Sequence, residues 1–337
     1  MRILLLSIFL LMGIAALTLI PSEKAEKING VSLVSPPRAI DAKTMGQVNR
    51  INAEWVAVIP YGFSRAGQPS VSFNKGGQWW GERMEGTRKL IEYAQENELK
   101  VMLKPHVWVM GEGWTGDYTL ETEAEWAVWE KDFSKYIVSY ATIADSMNVE
   151  ILCIGTEYRT PAKERPEFWK KLITEVRQVY DGKITYAANW DNYTNITWWD
   201  QVDYIGIDAY FPLVEGDSPS VQEIKDGWTP IKKDLSSFSK KWEKPILFTE
   251  YGFQSANGAA GKHWEVDQND AAKANQEVQS NAYEATFQAL EKEDWYLGGF
   301  LWKWHFSLNK DRIRPTTWTP QNKKAEQTIA KWYSKKE

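Results

Sequence analysis

Residues 149–158 read VEILCIGTEY, an apolar run that ends abruptly in a carboxylate at Glu157. Such a run is typical of a strand buried on both faces, as in a parallel sheet covered by helices. Side chains alternate between the two faces of a strand, so the pattern places Cys153, Gly155 and Glu157 on one face and bulkier apolar residues on the other. Small residues suit the interior of a narrow barrel, and bulky ones suit the layer between strands and helices.

Seven similar runs occur along the chain, and amphipathic stretches separate most of them. The eight predicted strands span residues 28–35, 55–63, 100–109, 149–158, 183–190, 202–211, 245–253 and 297–306. Apolar residues recur at helical spacing at 41–52, 83–98, 123–147, 164–180, 221–241, 270–293 and 323–335. This alternation indicates an α/β fold in which parallel strands are joined by helical crossovers.

No Pro/Gly/Ser-rich linker, repeat or low-complexity stretch divides the sequence after residue 28. Barrels of eight strand–helix units commonly exceed the usual size of a single domain, so the chain length does not require a second one. We therefore predict one (β/α)8 TIM barrel over residues 28–337, with a helix after every strand. A doubly wound open sheet is the alternative.

Composition narrows the class of partner. The 337 residues carry a formal net charge of -5, which gives no basic surface for nucleic acid, so no nucleic-acid partner is expected. The sequence has 19 Trp, 15 Tyr and 12 Phe, an unusually aromatic composition. Aromatic rings stack on the C–H faces of sugars, but they also fill protein cores. The composition suggests a carbohydrate ligand and leaves both roles open for each ring.

An apolar run at residues 3–20 follows Met1 and Arg2 and ends at a polar segment. We predict an export segment over residues 1–21, either a signal peptide or a membrane anchor, because its length fits both and no clean cleavage site precedes Ser22. The protein is then secreted, periplasmic or anchored to the outer face of a membrane, with no other membrane contact. The single cysteine, Cys153, cannot form an intrachain disulfide, and we interpret it as a buried structural residue. A monomer is expected.

Polar residues at the ends of barrel strands carry the most functional information, because active sites of such barrels lie at the carboxyl ends of the strands. Glu157 ends the fourth predicted strand, and Glu250 ends the seventh within LFTEYG at 247–252. A carboxylate that terminates a buried strand is costly to desolvate, which indicates a function for it. Other strand ends supply Lys104, His106, Asn189, Asp208, Tyr210, Trp302 and Trp304.

Two carboxylates at one rim of a barrel suit glycosidic cleavage with retention. One, protonated at rest, donates a proton to the departing oxygen, while the other, ionised, attacks the anomeric carbon. Retention requires the two carboxyl groups to lie about 5–5.5 Å apart. Their mutual repulsion also separates the two pKa values, so that one keeps its proton near neutral pH.

Three motifs carry a specific resemblance: CIGTE at 153–157, TYAANW at 185–190 and DYIGIDAYFPL at 203–213. They resemble glycoside hydrolase family 113 of clan A, a family known chiefly for β-1,4-mannanases, and the resemblance covers residues 28–318. It implies that Glu157 is the acid/base, that Glu250 is the nucleophile, and that the substrate is a β-mannan-type oligo- or polysaccharide. It also implies that no metal or organic cofactor takes part.

One departure from the wider clan concerns the residue before the acid/base, which is commonly Asn and here is Thr156. Asn189, on the neighbouring strand, offers an amide for the sugar 2-hydroxyl, although a structural hydrogen bond is an equal alternative. Tyr210 either donates a hydrogen bond to Glu250, as a tyrosine of this strand does in the clan, or packs in the core.

The other substrate-binding candidates have two interpretations each. Trp302 and Trp304 share one face of the last strand, so one is expected to form the floor of the cleavage subsite and the other to pack. Lys104 and His106 are expected to contact sugar hydroxyls, with a structural role as the alternative. Trp114, in a glycine-flanked loop, either reaches a more distant sugar or folds back as a lid, and the same holds for a second loop that contains Trp79 and Trp80.

Other classes of function fit poorly. Only three histidines occur and G-x-S-x-G is missing from the sequence, so a Ser-His-Asp hydrolase lacks its parts. The motifs of zinc proteases and phosphate-binding loops are likewise missing from the sequence. The remaining alternatives are a retaining hydrolase of another β-linked glycan and a non-catalytic carbohydrate-binding barrel. The complete pair of glutamates argues against the latter.

Overall fold

The computed structural model describes residues 26–111, 114–306 and 314–335. Its strands are β1 (Ile28–Leu33), β2 (Trp55–Val58), β3 (Tyr61–Arg65), β4 (Gln68–Phe73), β5 (Lys100–Leu103), β6 (His106–Met110), β7 (Ile151–Thr156), β8 (Lys183–Asn189), β9 (Tyr204–Asp208), β10 (Ile246–Tyr251) and β11 (Tyr296–Trp304). Eight of them close into a parallel barrel in the order β1-β11-β10-β9-β8-β7-β5-β2. The predicted TIM barrel is confirmed.

The α-helices of the described ranges surround the barrel. They are α1 (Ala42–Met45), α2 (Met84–Glu96), α3 (Glu123–Ser146), α4 (Arg159–Glu164), α5 (Pro166–Arg177), α6 (Val221–Trp242), α7 (Gln276–Leu290) and α8 (Lys324–Tyr333). The expectation of a helix after every strand is wrong after β8, where two short 3-10 turns make the connection. The buried indoles of Trp198 and Trp199 fill that part of the outer layer, and Trp198 stacks on Trp169 of α5 with ring centroids 5.3 Å apart.

Two predicted strands are each divided by a proline. The run 55–63 splits at Pro60 and the run 100–109 splits at Pro105, because proline supplies no N–H for a ladder and bends the chain. The first halves, β2 and β5, stay in the barrel. The second halves, β3 and β6, leave it and pair in parallel above the rim, with β4 antiparallel to β3.

The apolar interior forms two layers. A smaller cluster fills the barrel and includes Cys153, Ala187 and Phe300, whereas a larger one packs strands against helices and includes Leu152 and Ile154. The predicted alternation is therefore confirmed for residues 152–154. Cys153 is fully buried, in agreement with a structural role.

The alternation ends one residue later in β7. The register between β7 and β8 shifts between Cys153 and Thr156, and a Cβ on Gly155 would lie 2.8 Å from the ring of Trp169 in the outer layer. The expectation that Gly155 shares the inner face is therefore wrong. A bulge of this kind re-aims the side chains that follow it, and bulges are frequent beside active sites.

The predicted export segment, residues 1–21, lies outside the described residues. Among the residues that are described, no helix combines the length and apolar character needed to cross a bilayer.

Candidate active site

Glu157 and Glu250 open onto one groove at the carboxyl ends of the barrel strands. The groove has a volume of about 640 Å³ and is lined by Trp114, Glu157, Arg159, Asn189, Trp190, Asp191, Tyr210, Glu250, His263, Trp264, Trp302 and Trp318. Four of the predicted substrate-binding residues, Trp114, Asn189, Tyr210 and Trp302, belong to this lining. The other three, Lys104, His106 and Trp304, do not.

The backbone at Glu157 is unusual. This residue follows the bulge in β7 and has a φ of 53°, in the left-handed region that a residue with a side chain rarely adopts. Its N–H donates to the carbonyl of Ala187 at 2.8 Å, which fixes the strand end against β8. Strained backbone of this kind concentrates at functional sites, where the surrounding structure holds it in place.

Glu250 is held by two donors, one on each oxygen. The Lys104 ammonium donates to Oε1 at 2.6 Å, and the Tyr210 hydroxyl donates to Oε2 at 2.7 Å. The side chain is buried, with 6% exposure. Donors to both oxygens fix the orientation of the carboxyl group. The structure thus brings Tyr210 to the position that the sequence suggested for it.

Glu157 lies in a different electrostatic setting. Desolvation in the groove, together with the negative charges of Asp208 and Glu250, raises its pKa well above the ordinary value of a glutamate. One hydrogen bond acts in the opposite sense, because the indole N–H of Trp114 donates to Oε2 at 3.2 Å. This environment favours a protonated Glu157, the state that a proton donor to a leaving group requires.

Lys104 lies below the groove and not in it. Its side chain is 0% exposed, and its ammonium donates to Asp208 Oδ1 at 3.0 Å as well as to Glu250. Burial opposes the charged form, but the negative charges of Asp208 and Glu250 outweigh it and raise the pKa of Lys104 above its ordinary value. The expected direct contact with sugar hydroxyls is therefore replaced by a contact with Glu250.

His106 lies beside Trp302 and Glu250. The His106 and Trp302 rings are parallel to within 3°, with centroids 6.4 Å apart. Burial and the nearby Lys104 ammonium lower the pKa of His106 well below its ordinary value, so the ring is neutral. Its Nε2 lies 3.5 Å from Glu250 Oε1, and that buried nitrogen has no hydrogen-bond partner within the described residues.

Trp304 is not near the groove. The partner of β1 shifts from Leu301 at Val31 to Trp304 at Leu33, so a bulge places Trp302 and Trp304 on different faces of β11. Trp304 is fully buried in the outer layer, with the Arg50 guanidinium over its ring. The prediction that the two indoles share a face is wrong. The assignment of Trp304 to substrate binding is wrong for the same reason, because its ring lies in the outer layer.

Asn189 and Trp114 line the groove near Glu157. The Asn189 amide donates to Asp191 Oδ1 at 2.9 Å, and the Arg159 guanidinium lies 5.1 Å above the Trp114 ring. Arg159 also pairs with Asp117 and Asp191, so it ties the loop of Trp114 to the ends of β7 and β8. These ion pairs and the contact with Arg159 hold the Trp114 ring at the groove, although Trp114 is not part of a strand.

Several groove residues were missed at the sequence level. Trp190 ends the fifth predicted strand but was not singled out, whereas His263, Trp264 and Trp318 lie between the predicted strands and the last helix, where strand periodicity gives no signal. Trp190 and Trp264 stack with ring centroids 5.9 Å apart. The sequence pattern marks Asp208 as an inward strand-end residue but indicates no role for it. Among the described residues, no group of three or more His, Cys, Asp or Glu side chains is arranged to hold a metal ion.

The barrel with its two glutamates has relatives among known proteins. The model of Glycoside Hydrolase Family 113 matches residues 38–317. The chain belongs to this family. The resemblance noted in the sequence is confirmed, whereas no curated protein sequence matches the chain.

Solved structures agree with the family membership. The GH113 β-mannanase AaManA from Alicyclobacillus acidocaldarius, in complex with ManMIm, superposes with a TM-score of 0.80 at 26% identity, over 92% of this chain and 97% of that one. A second GH113 β-1,4-mannanase, solved as a complex, gives a TM-score of 0.79 at 25% identity, over 92% and 100%. A β-glucuronidase from Ruminococcus gnavus, at 13% identity and a TM-score of 0.61 over 92% of this chain and 50% of that one, shows the fold alone.

Proposed function

We propose that this family 113 protein is a retaining hydrolase of β-1,4-mannosidic bonds in mannan or glucomannan, with Glu157 as acid/base and Glu250 as nucleophile. The observation that carries the mechanism is the unequal setting of the two glutamates. Lys104 and Tyr210 each donate to one oxygen of Glu250, while desolvation and neighbouring negative charge favour the protonated Glu157. The β-mannanase neighbours support the choice of substrate.

The proposed reaction has two displacements. In the first, a Glu250 oxygen bonds to the anomeric carbon, the glycosidic C–O bond breaks, and its electron pair stays on the leaving oxygen, which takes the proton of Glu157. In the second, water attacks the same carbon, gives its proton to Glu157, and releases Glu250 as a carboxylate. Each displacement inverts the carbon, so the product retains the original configuration.

The exposed tryptophans support a substrate of several sugars. Trp264 lines the groove with the two glutamates, and Trp79 and Trp108 line a second pocket of about 290 Å³ that shares Trp302 with it. These three side chains are 53%, 49% and 60% exposed, respectively. Large exposed apolar surface near a groove is typical of a binding site.

The barrel order supports a proposal for the end of the substrate that the second pocket takes. Glu157 directly follows β7, which lies four places from β11, the strand of Trp302, so the two residues are on opposite sides of the rim. In the proposed mechanism Glu157 protonates the departing oxygen, so the leaving sugar, on the reducing side of the cleaved bond, lies on the Glu157 side of the groove. The pocket beyond Trp302 is therefore expected to take sugars on the non-reducing side of the cleaved bond.

A product assay tests the substrate. Purified protein is incubated with mannan, glucomannan and cello-oligosaccharides, and the products are separated by chromatography. Mannose-containing oligosaccharides of several lengths are expected from mannan and glucomannan, and little release is expected from cello-oligosaccharides. Preferred cleavage of another β-linked glycan would favour the alternative substrate, and no cleavage of any glycan would favour a binding protein.

The second pocket is tested with Trp108→Ala. Loss of one stacking platform is expected to lower kcat/KM for manno-oligosaccharides of five or six sugars by roughly 10-fold, equivalent to about 1.4 kcal/mol. Substrates too short to reach the pocket should be cleaved at an unchanged rate. Met110→Ala is the control, because Met110 is exposed on the same strand but lines neither pocket. An equal loss for short and long substrates would contradict the assignment.

The export of the protein, predicted from residues 1–21, remains a proposal that fits a polymeric substrate outside the cell.

A further inference from the structure

We propose that Asp208 is a positioning residue that acts through Lys104: it neutralises the buried ammonium while the sugar is bonded to Glu250. The inference rests on the proposed function, because it concerns the glycosyl-enzyme of the double displacement. It assigns a task to a buried carboxylate that neither donates a proton to the substrate nor attacks it.

The geometry places one cation between two anions. Lys104 and Asp208 are both 0% exposed, and the ammonium lies 3.0 Å from Asp208 Oδ1 and 2.6 Å from Glu250 Oε1. The third contact of the ammonium is the carbonyl of Thr249, at 3.4 Å. A buried ammonium that loses its partner destabilises a protein strongly, so the presence of a second anion matters whenever the first is lost.

Glycosylation removes the first anion. When a Glu250 oxygen bonds to the anomeric carbon, the carboxylate becomes a neutral ester and the electron pair of the broken bond leaves with the departing oxygen. The Lys104 ammonium then faces an ester on one side and Asp208 on the other. With Asp208 ionised, the pair stays neutral; without it, formation of the intermediate leaves a buried positive charge.

The surroundings of Asp208 allow it to serve as the remaining anion beside Lys104 when Glu250 becomes an ester. Oδ1 accepts from both Lys104 and the Thr249 hydroxyl, the latter at 2.7 Å, whereas Oδ2 has no partner within the described residues. Burial and the charge of Glu250 raise the pKa of Asp208 to about 7, against the opposing effects of Lys104 and Thr249. Esterification removes the charge of Glu250, so it lowers this pKa and favours ionised Asp208 in the intermediate.

Groups from the neighbouring strands also act on this pair. Besides those named, Cys153 and Glu157 on and after β7, Tyr186 on β8 and Tyr210 after β9 lie close enough to interact electrostatically with Asp208. Burial raises the pKa values of Cys153, Tyr186 and Tyr210, so these three stay neutral near pH 7. Glu157 is thus the other anion that forms near Asp208 during the first step.

The test is Asp208→Asn, which keeps the shape and the acceptor oxygen but removes the charge. The probe is a dinitrophenyl 2-deoxy-2-fluoro-β-mannoside or mannobioside, which forms the glycosyl-enzyme quickly and releases it slowly. Intact-protein mass spectrometry follows the rate of trapping and the rate of reactivation after removal of the free probe. The amide of the variant carries no charge to neutralise Lys104, so trapping should slow roughly 10- to 100-fold while reactivation is unchanged or faster.

The control is Thr249→Val, which removes the other donor to Asp208 Oδ1 but keeps the carboxyl group. Because that donor lowers the pKa of Asp208, both variants are assayed on the alkaline side of neutral pH, where the Asp208 carboxyl of the control is ionised. Thr249→Val is expected to change both rates by a similar, smaller factor. Equal slowing of both steps in Asp208→Asn, unchanged trapping, or slower reactivation would overturn the proposal. A failure of the proposed function is distinguishable, because the wild-type protein would then form no glycosyl-enzyme with the probe at all.

Discussion

Glu250→Ala is expected to lower turnover of native polysaccharide by roughly 10⁴-fold or more. In the proposed mechanism the substitution removes the atom that attacks the anomeric carbon. The neighbouring carboxylates are not expected to replace it: Asp208 is fully buried, Asp191 is held by Arg159 and Asn189, and Glu157 is assigned as the proton donor. The fold should survive, because the Lys104 ammonium keeps Asp208 as its partner. Initial rates on mannan, with thermal unfolding as the check on folding, measure the loss.

Azide distinguishes this role from simple damage to the site. In Glu250→Ala a small anion can occupy the vacated space and attack the anomeric carbon directly, so azide should restore cleavage of an aryl β-glycoside and yield the inverted α-glycosyl azide. The configuration is read by NMR. Full activity of the variant on polysaccharide, or rescue with a retained product, would be incompatible with Glu250 as the nucleophile.

The barrel was predictable because its strands are buried on both faces. Such strands appear as continuous apolar runs, and the polar residue that ends each one marks the carboxyl rim, as at Glu157 and Glu250. The division of two strands at Pro60 and Pro105 could have been predicted from the sequence, because proline interrupts the hydrogen bonding of a central strand. The missing helix after β8 could also have been predicted, because no stretch of helical spacing lies between the fifth and sixth predicted strands, residues 183–190 and 202–211.

The errors in side-chain direction share one cause. Alternation along a single strand assumes a regular ladder, whereas the register of β7 shifts against β8 and that of β11 shifts against β1. Gly155 lies within the shift of β7, and Trp304 lies directly after the shift of β11. Both residues were therefore assigned to the wrong face of their strand. A shift depends on the neighbouring strand, so a pattern read along one strand cannot reveal it.

The role of Lys104 was hidden for a related reason. Its position at a strand end marked it as part of the rim, but its partners, Asp208 and Glu250, come from strands that are distant in sequence. Only the closed order of the barrel brings these three charges together. The family resemblance supplied the two glutamates but not the charge balance beneath them.

Glu157→Ala is expected to lower turnover of polysaccharide by roughly 10²- to 10⁴-fold, while the first displacement is spared for dinitrophenyl glycosides, whose leaving group needs no proton. Azide should accelerate this variant as well, but by attack on the glycosyl-enzyme, so the product is the retained β-glycosyl azide. Product configuration therefore separates the two glutamates: inversion with Glu250→Ala and retention with Glu157→Ala. Interchanged configurations would reverse the assignment of the two roles.

The pH profile gives a second, independent reading of Glu157. The acid must be protonated in the free enzyme, and its raised pKa means that kcat/KM falls only when the pH passes a value well above that of an ordinary glutamate. Trp114→Phe removes a donor that favours the ionised form, so it should move this basic limb to still higher pH. Glu157→Ala should abolish the limb. A limb that stays in place in both variants would belong to another group, and Glu157 could not then be the proton donor.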